Sequence, residues 1–499
     1  MLAGRPKAGY GAGMKRLFAS LCLCLAASPA MAQEAPAPVN WRERTLADIA
    51  AIDQAVRDIH PGMVDPAVPA LARGWAENVR TARMRADEVN DRAAWAGTLR
   101  ILVNSLRDSH AVIRIAPQRP APPLWWTGYA VEHIAGRWFL RPVDAPGAPT
   151  GELRLLHCGG RPIDAVAASQ LDLTVTNWQV TANRSSAGAR LLVDSGNPFL
   201  RRIERCTVLV DGQREQEIVF AWRQGEAATI AAALRPWQRR RIGETRFGLD
   251  WQADGSAWLS LPNFTDSQGN AALRTAVNAA RARLRRAPYI VLDVRGNGGG
   301  NSQLGTLLSA ALWGEGSVIP EPAPARPKRW RASRQLVEAM RAARTAQSGN
   351  PELVAFVDGA LPAIEGALGR GEPLVADPGV TADTARRERP RPRPARTGPV
   401  FVLTDGGCGS SCILFVNEVR RMGARQLGDP TDRNTVYGEQ WAMTALPSGE
   451  ADLFLPSAVY GWPESVLGGG PPDLQWTGTA ADEAGLRAFI AAQARSARR

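Results

Sequence analysis

Two short apolar runs, each followed at once by a glycine-rich loop and then by a helical pattern, constrain this chain more than any other feature. Tyr289-Ile290-Val291-Leu292-Asp293-Val294 and Val400-Phe401-Val402-Leu403 lack the alternation of a half-buried strand. A strand that is apolar on both sides must be covered on both sides, which is the habit of parallel strands between layers of helix. Helical patterns follow each run, over Ser302–Trp313 and about Ser411–Met422. With a further strand at Ala257–Leu261 and an amphipathic helix at Ala271–Leu284, the order from about Thr245 onward predicts an α/β core.

The rest of the chain divides by pattern. Met14-Lys15-Arg16, an apolar stretch from Leu17 to Ala27 and Ala30-Met31-Ala32 form a secretory leader, residues 1–32, with cleavage expected after Ala32. Its apolar stretch falls short of the roughly 20 residues a spanning helix needs, so no stable membrane insertion is expected. Cys22 and Cys24 have no small residue in front of them, which argues against a lipid anchor. Residues 33–118 read as a helical segment, with apolar positions Leu46, Ile49, Ile52 and Val56 on one face and a stop at His60-Pro61-Gly62. Residues 119–242 hold short alternating runs and read as a small β domain. Residues 243–499 are the α/β core, interrupted at 316–398 by a Pro/Arg-rich insertion with a helical piece at Ser333–Arg344. An insertion of that size is a candidate lid or substrate wall.

Export places the mature protein in the periplasm or outside the cell, in an oxidising compartment. Cys158, Cys206, Cys408 and Cys412 then remain, and three disulfide pairings are open. The net charge of +12 falls to +8 once Arg5, Lys7, Lys15 and Arg16 leave with the leader. Much of the excess lies in Arg386–Arg396, where proline alternates with arginine. That composition describes an extended, solvated connector better than a nucleic-acid surface.

Three segments carry candidate chemistry. Asp293-Val294-Arg295-Gly296-Asn297-Gly298-Gly299-Gly300 joins a strand to a helix, and its glycines let backbone N–H groups approach an oxyanion or a phosphate. It has neither the Gly-Lys-Ser/Thr ending of a phosphate loop nor the spacing of a dinucleotide fingerprint. Thr404-Asp405-Gly406-Gly407-Cys408-Gly409-Ser410-Ser411-Cys412 puts a serine on a sharp turn at a helix start. That setting suits a nucleophile, and also suits a helix cap. Asp108-Ser109-His110 offers a base. Lys328 is the sole lysine after the leader and precedes Ser410, which excludes a serine–lysine dyad with the lysine downstream. His60 precedes a proline at a helix end, and His133 and His157 fall in the β domain. No set of His, Cys and carboxylates has metal-site spacing, and no cofactor is expected.

Together these three segments resemble the S41 serine peptidases, the family of the tail-specific or C-terminal processing proteases, on its tricorn-like and retinoid-binding-type branch. Gly428-Asp429-Pro430-Thr431 is similar to the Gly-x-Pro-Thr that follows the nucleophilic helix there. The resemblance implies a crotonase/ClpP-like α/β catalytic core, with an N-terminal helical segment and a small PDZ-like β domain, the latter suggested by Leu155–Ile163. It implies Ser410 as nucleophile, His110 as base, and Gly298, Gly299 and Ser411 as donors to the oxyanion. On this branch a glutamate orients the histidine through the neighbouring serine, here Ser109. Glu464 fits that position in the chain better than Glu439. The implied substrate is a peptide or unfolded protein. A serine esterase, and a non-catalytic protein binding peptide or a hydrophobic ligand on the same fold, are the competing expectations. The nucleophile turn departs from the family at Cys408, Gly409, Ser411, Cys412 and Ile413. Cys408 with Cys412 as a brace, or as two buried thiols, and Cys158 with Cys206 across two strands, all stay open.

Overall fold

The computed structural model describes residues 39–241, 246–314, 326–378 and 398–497. The leader expected at residues 1–32 and the Arg386–Arg396 run lie outside them. The described elements belong to one unit, Asn40–Arg499. Among the described residues, no helix is long and apolar enough to cross a membrane.

The six-stranded central sheet runs in the order Gly248–Trp251, Ala257–Ser260, Ile290–Asp293, Val400–Thr404, Arg425–Gly428, Leu474–Gln475. The first pair is antiparallel and every later pair parallel. Both faces are covered, as the unbroken apolar runs require. Ile290, Leu292, Val400 and Val402 face helices Ser267–Ala279, Ser302–Trp313 and Ser411–Arg421. Val291, Phe401 and Leu403 face the last helix, Glu483–Ser496. The α/β expectation is met.

Three helices, Trp41–Ile59, Pro69–Arg85 and Arg92–Asn104, open the chain. Ile49, Ile52, Val56 and Ile59 recur on the buried face of the first, whose start is capped by Asn40. Their core does not close by itself. Strand Val112–Ile115 pairs antiparallel with Ala451–Leu455, which pairs with Ala442–Ala445. Leu453 and Leu455 then pack among Trp95, Leu99 and Leu102. Pairing to this late hairpin brings the turn at residues 108–110 back to the central sheet.

The β region is a six-stranded antiparallel sheet with helices Ile163–Thr174 and Thr181–Gly188. Cys158 and Cys206 face each other across neighbouring strands and form a disulfide. His133 is buried against Trp138 and Ser185. Burial and the nearby Arg184 push its pKa down to about 4. His157 is exposed. A buried arginine ties this region to the core: Arg239 donates to Glu132 (3.0 Å), Asp429 (2.9 Å) and the carbonyls of Trp476 and Gly478.

The described part of the insertion, residues 326–378, holds regular structure beyond the one helical piece expected. Strands Arg329–Arg331 and Leu374–Ala376 join Ala458–Val459 and Tyr437–Gly438 in a separate sheet. Helices Arg334–Ala346 and Pro351–Gly369 pack over it through Leu336, Met340, Val357 and Ile364. The second helix escapes sequence reading because Pro362 and several glycines interrupt its pattern. Pro351 sits in its first turn, where no N–H is needed.

Candidate functional site

The serine strand Val400–Thr404 ends in a turn that leads into helix Ser411–Arg421. Ser410 occupies the position before the helix, yet its side chain makes no capping bond. Its backbone lies at φ 51°, ψ −126°, on the left-handed side that side chains avoid, at a cost of about 1–3 kcal/mol. Asn434 holds it there: Oδ1 accepts from the Ser410 N–H (2.9 Å) and Nδ2 donates to the Ser410 carbonyl (3.2 Å). Cys408 and Cys412, both fully buried, form a disulfide across the turn, with Cα atoms 5.4 Å apart.

The glycine loop packs against this turn. Asp405 Oδ1 accepts from the N–H groups of Gly296 and Gly407, both at 2.8 Å, which ties loop to turn. Gly409 N donates to the Asn297 carbonyl (3.1 Å), and Ser411 Oγ donates to the Gly300 carbonyl (2.6 Å). A Cβ on Gly299, which has φ 97°, would come within 2.8 Å of the Gly409 carbonyl, Ser410 Cβ and Ser411 N. Only glycine allows that approach. The three N–H groups expected to face an oxyanion differ. Gly299 N is already bound to Asn297 Oδ1 at 2.9 Å. Those of Gly298 and Ser411 make no hydrogen bond among the described residues, and a Cβ on Gly298 would meet open space.

His110 lies 300 positions before Ser410, yet its Nε2 is 3.2 Å from Ser410 Oγ. Its carbonyl accepts from Gln440. Its other ring nitrogen, Nδ1, is 3.7 Å from Asp108 Oδ1, an ion-pair distance and longer than a hydrogen bond. Asp108 is buried and takes three donors. Oδ1 accepts from His110 N (2.8 Å) and Thr435 Oγ1 (3.0 Å), and Oδ2 lies 3.0 Å from His60 Nε2. Burial would raise the Asp108 carboxyl, but the two histidines outweigh it and hold the group well below the usual carboxylate range. Burial would likewise pull His110 down. Asp108 outweighs it, with smaller help from Asp432 and Glu439, and lifts His110 above the ordinary histidine value.

Of the expected residues, Ser410, His110, Ser411 and Gly299 come together, with Gly298 next to Gly299 in the loop. Glu464 does not join them: it is at the surface, paired with Arg433. Glu439 is bound to Lys328, Tyr460 and Trp441. Ser109 lies in the same turn as His110, but the carboxylate that faces the ring is Asp108, two residues before the histidine. Asp108 was legible only as a polar neighbour, and Asn434 and Thr435 carried no signal beyond standing shortly after Gly428-Asp429-Pro430-Thr431. Among the described residues, no group of three or more His, Cys, Asp or Glu is arranged to hold a metal ion. The arrangement sets a ring nitrogen against the Ser410 hydroxyl and leaves the Ser411 and Gly298 N–H groups unpaired among the described residues.

Residues 255–451 match the family model of peptidase family S41. Among solved structures, mature CPAF is similar over 91% of this chain and 95% of its own, with TM-score 0.55 at 15% identity. Mature CPAF complexed with lactacystin is similar over 92% of this chain and 98% of its own, with TM-score 0.55 at 14% identity. At such identity the likeness is one of fold. No curated protein matches the chain.

Proposed function

We propose that this chain, a serine-type peptidase of family S41 with the family segment at 255–451, cleaves peptide bonds through an acyl-enzyme formed on Ser410. The single observation carrying the reading is the 3.2 Å approach of His110 Nε2 to Ser410 Oγ. In the productive tautomer Nδ1 bears the proton and faces Asp108, leaving the Nε2 lone pair to accept the serine proton. As Oγ attacks the scissile carbonyl, the imidazolium that forms is stabilised by the buried Asp108 carboxylate. The carbonyl oxygen becomes an anion and takes the N–H groups of Gly298 and Ser411. His110 then protonates the leaving amine, and the same residue activates water to release the acyl group.

Family membership implies peptide or protein substrates. Two features support export to an oxidising compartment: the leader pattern at 1–32, and the pairing of all four cysteines outside it into disulfides. The test is hydrolysis of matched peptide and ester panels, and of an unfolded protein, by wild type and Ser410→Ala. Cleavage of peptides and unfolded protein that vanishes in Ser410→Ala supports the reading. Turnover of esters alone converts it to an esterase, and equal activity in both proteins removes Ser410 from the chemistry.

A further inference from the structure

We infer that His60 is a positioning residue for His110, acting through Asp108. The inference rests on the Ser410–His110 reading above and extends it to a residue 48 positions before the carboxylate it contacts.

His60 is completely buried, and both ring nitrogens are engaged. Nδ1 accepts from the Gly62 N–H at 3.0 Å. A backbone N–H can only donate, so Nδ1 carries no proton and Nε2 carries it. The group presented to Asp108 Oδ2 at 3.0 Å is therefore a donor, with its tautomer set by the turn and not by the carboxylate. The ring is also fixed in space. The Tyr437 ring meets it edge-on at 5.0 Å, and even a methyl group on Gly62 would come within 3.0 Å of both rings.

Asp108 needs this partner. Its Oδ1 is held by His110 N and Thr435 Oγ1, whereas among the described residues Oδ2 is held by His60 alone. A buried carboxylate with one free oxygen pivots or takes up a proton; the first shifts and the second removes the charge that His110 Nδ1 faces. His60, Asp108, His110 and Ser410 thus form one continuous polar chain. No proton passes along it at His60, which only donates a hydrogen bond.

The alternative is that His60 merely caps the short turn Pro61–Met63. Two substitutions separate the roles. In His60→Asn the side-chain oxygen can replace Nδ1 as the cap for Gly62, but nothing reaches Asp108. In His60→Gln the amide nitrogen can replace Nε2 toward Asp108, but the cap is lost. The readout is inactivation by a fluorophosphonate, resolved into kinact and KI, with thermal melting alongside. His60→Asn is expected to lower kinact about ten- to a hundredfold, the range for losing a hydrogen bond to a charged group. Its KI should match wild type, its melting temperature should fall no further than that of His60→Gln, and His60→Gln should recover most of kinact. A wild-type kinact in His60→Asn overturns the inference. So do equal losses in both variants that track their folded fraction. Ser410→Ala and His110→Ala run in parallel: if they still react, the site reading itself fails, whatever His60 does.

Discussion

Replacing Asp108 by asparagine removes one charge from a buried site without changing its shape, and the structure states what each donor then meets. A carboxamide has one oxygen for three donors. With that oxygen at the Oδ1 position, His110 N and Thr435 Oγ1 stay satisfied and the new NH2 faces the His60 N–H. With the oxygen at Oδ2, two donors are stranded. Either way at least one buried donor goes unmet, at about 1–3 kcal/mol of folding stability. The larger effect is on His110. At the observed 3.7 Å, and an effective dielectric of about 20, an imidazolium and a carboxylate attract by about 4 kcal/mol. That is an upper bound, because the His110 ring is not wholly shielded from solvent. A loss of about 3 kcal/mol corresponds to roughly a hundredfold or more in kcat/KM. The assay is kcat/KM for a peptide from about pH 4 to about pH 9, where the acid limb reports the pKa of the free-enzyme base. In wild type that limb lies above the ordinary histidine value of about 6.5, since Asp108 favours the charged ring. In Asp108→Asn the plateau falls and the limb moves to lower pH. An unmoved limb, with a plateau within about threefold of wild type, would refute the assignment of Asp108 as the group behind the histidine.

Other outcomes follow from the same geometry. Asn434→Ala frees the Ser410 backbone from its positive φ; kcat should fall about tenfold or more, with KM little changed, as two hydrogen bonds to the strained residue are lost. An unchanged kcat in steady-state assays would show that the turn holds itself. Cys408→Ala with Cys412→Ala should cost about 2 kcal/mol by chain entropy for so short a loop, read from denaturant melts, and should lower activity because the bridge spans the Ser410 turn. Equal stability with and without the bridge would contradict this. His110 has a raised folded pKa, so its ion pair stabilises the fold fully below the unfolded value of about 6.5 and loses that contribution as pH rises through the folded value. The stability difference between wild type and His110→Gln should therefore shrink with rising pH, while activity climbs. A pH-independent difference in melting temperature would be inconsistent with the pairing.

How much of this was legible depended on whether a residue's partner was local. The central sheet was readable because burial on both faces leaves a run such as Val400–Leu403 without alternation. The serine turn and glycine loop were readable because a sharp turn and a close backbone approach each demand glycine, as at Gly299. The group behind the histidine was not. Resemblance directed the expectation to Glu464, which the fold leaves at the surface, while the carboxylate that closes on His110 lies in its own turn. His60 looked like a helix stop because its second partner is reached only after three helices pack. Asn434 has no pattern at all; it acts because the loop between strands Arg425–Gly428 and Tyr437–Gly438 returns to Ser410. The insertion's second helix was hidden by proline and glycine residues that burial of Val357 and Ile364 outweighs.

The reading turns on the His110 imidazole activating the Ser410 hydroxyl. Intact-mass and peptide-mapping analysis after treatment with a fluorophosphonate tests it most directly. One adduct per chain is expected, mapped to Ser410, absent in Ser410→Ala and slowed at least a hundredfold in His110→Ala. An adduct on another residue, or labelling of Ser410 at full rate without His110, would contradict it.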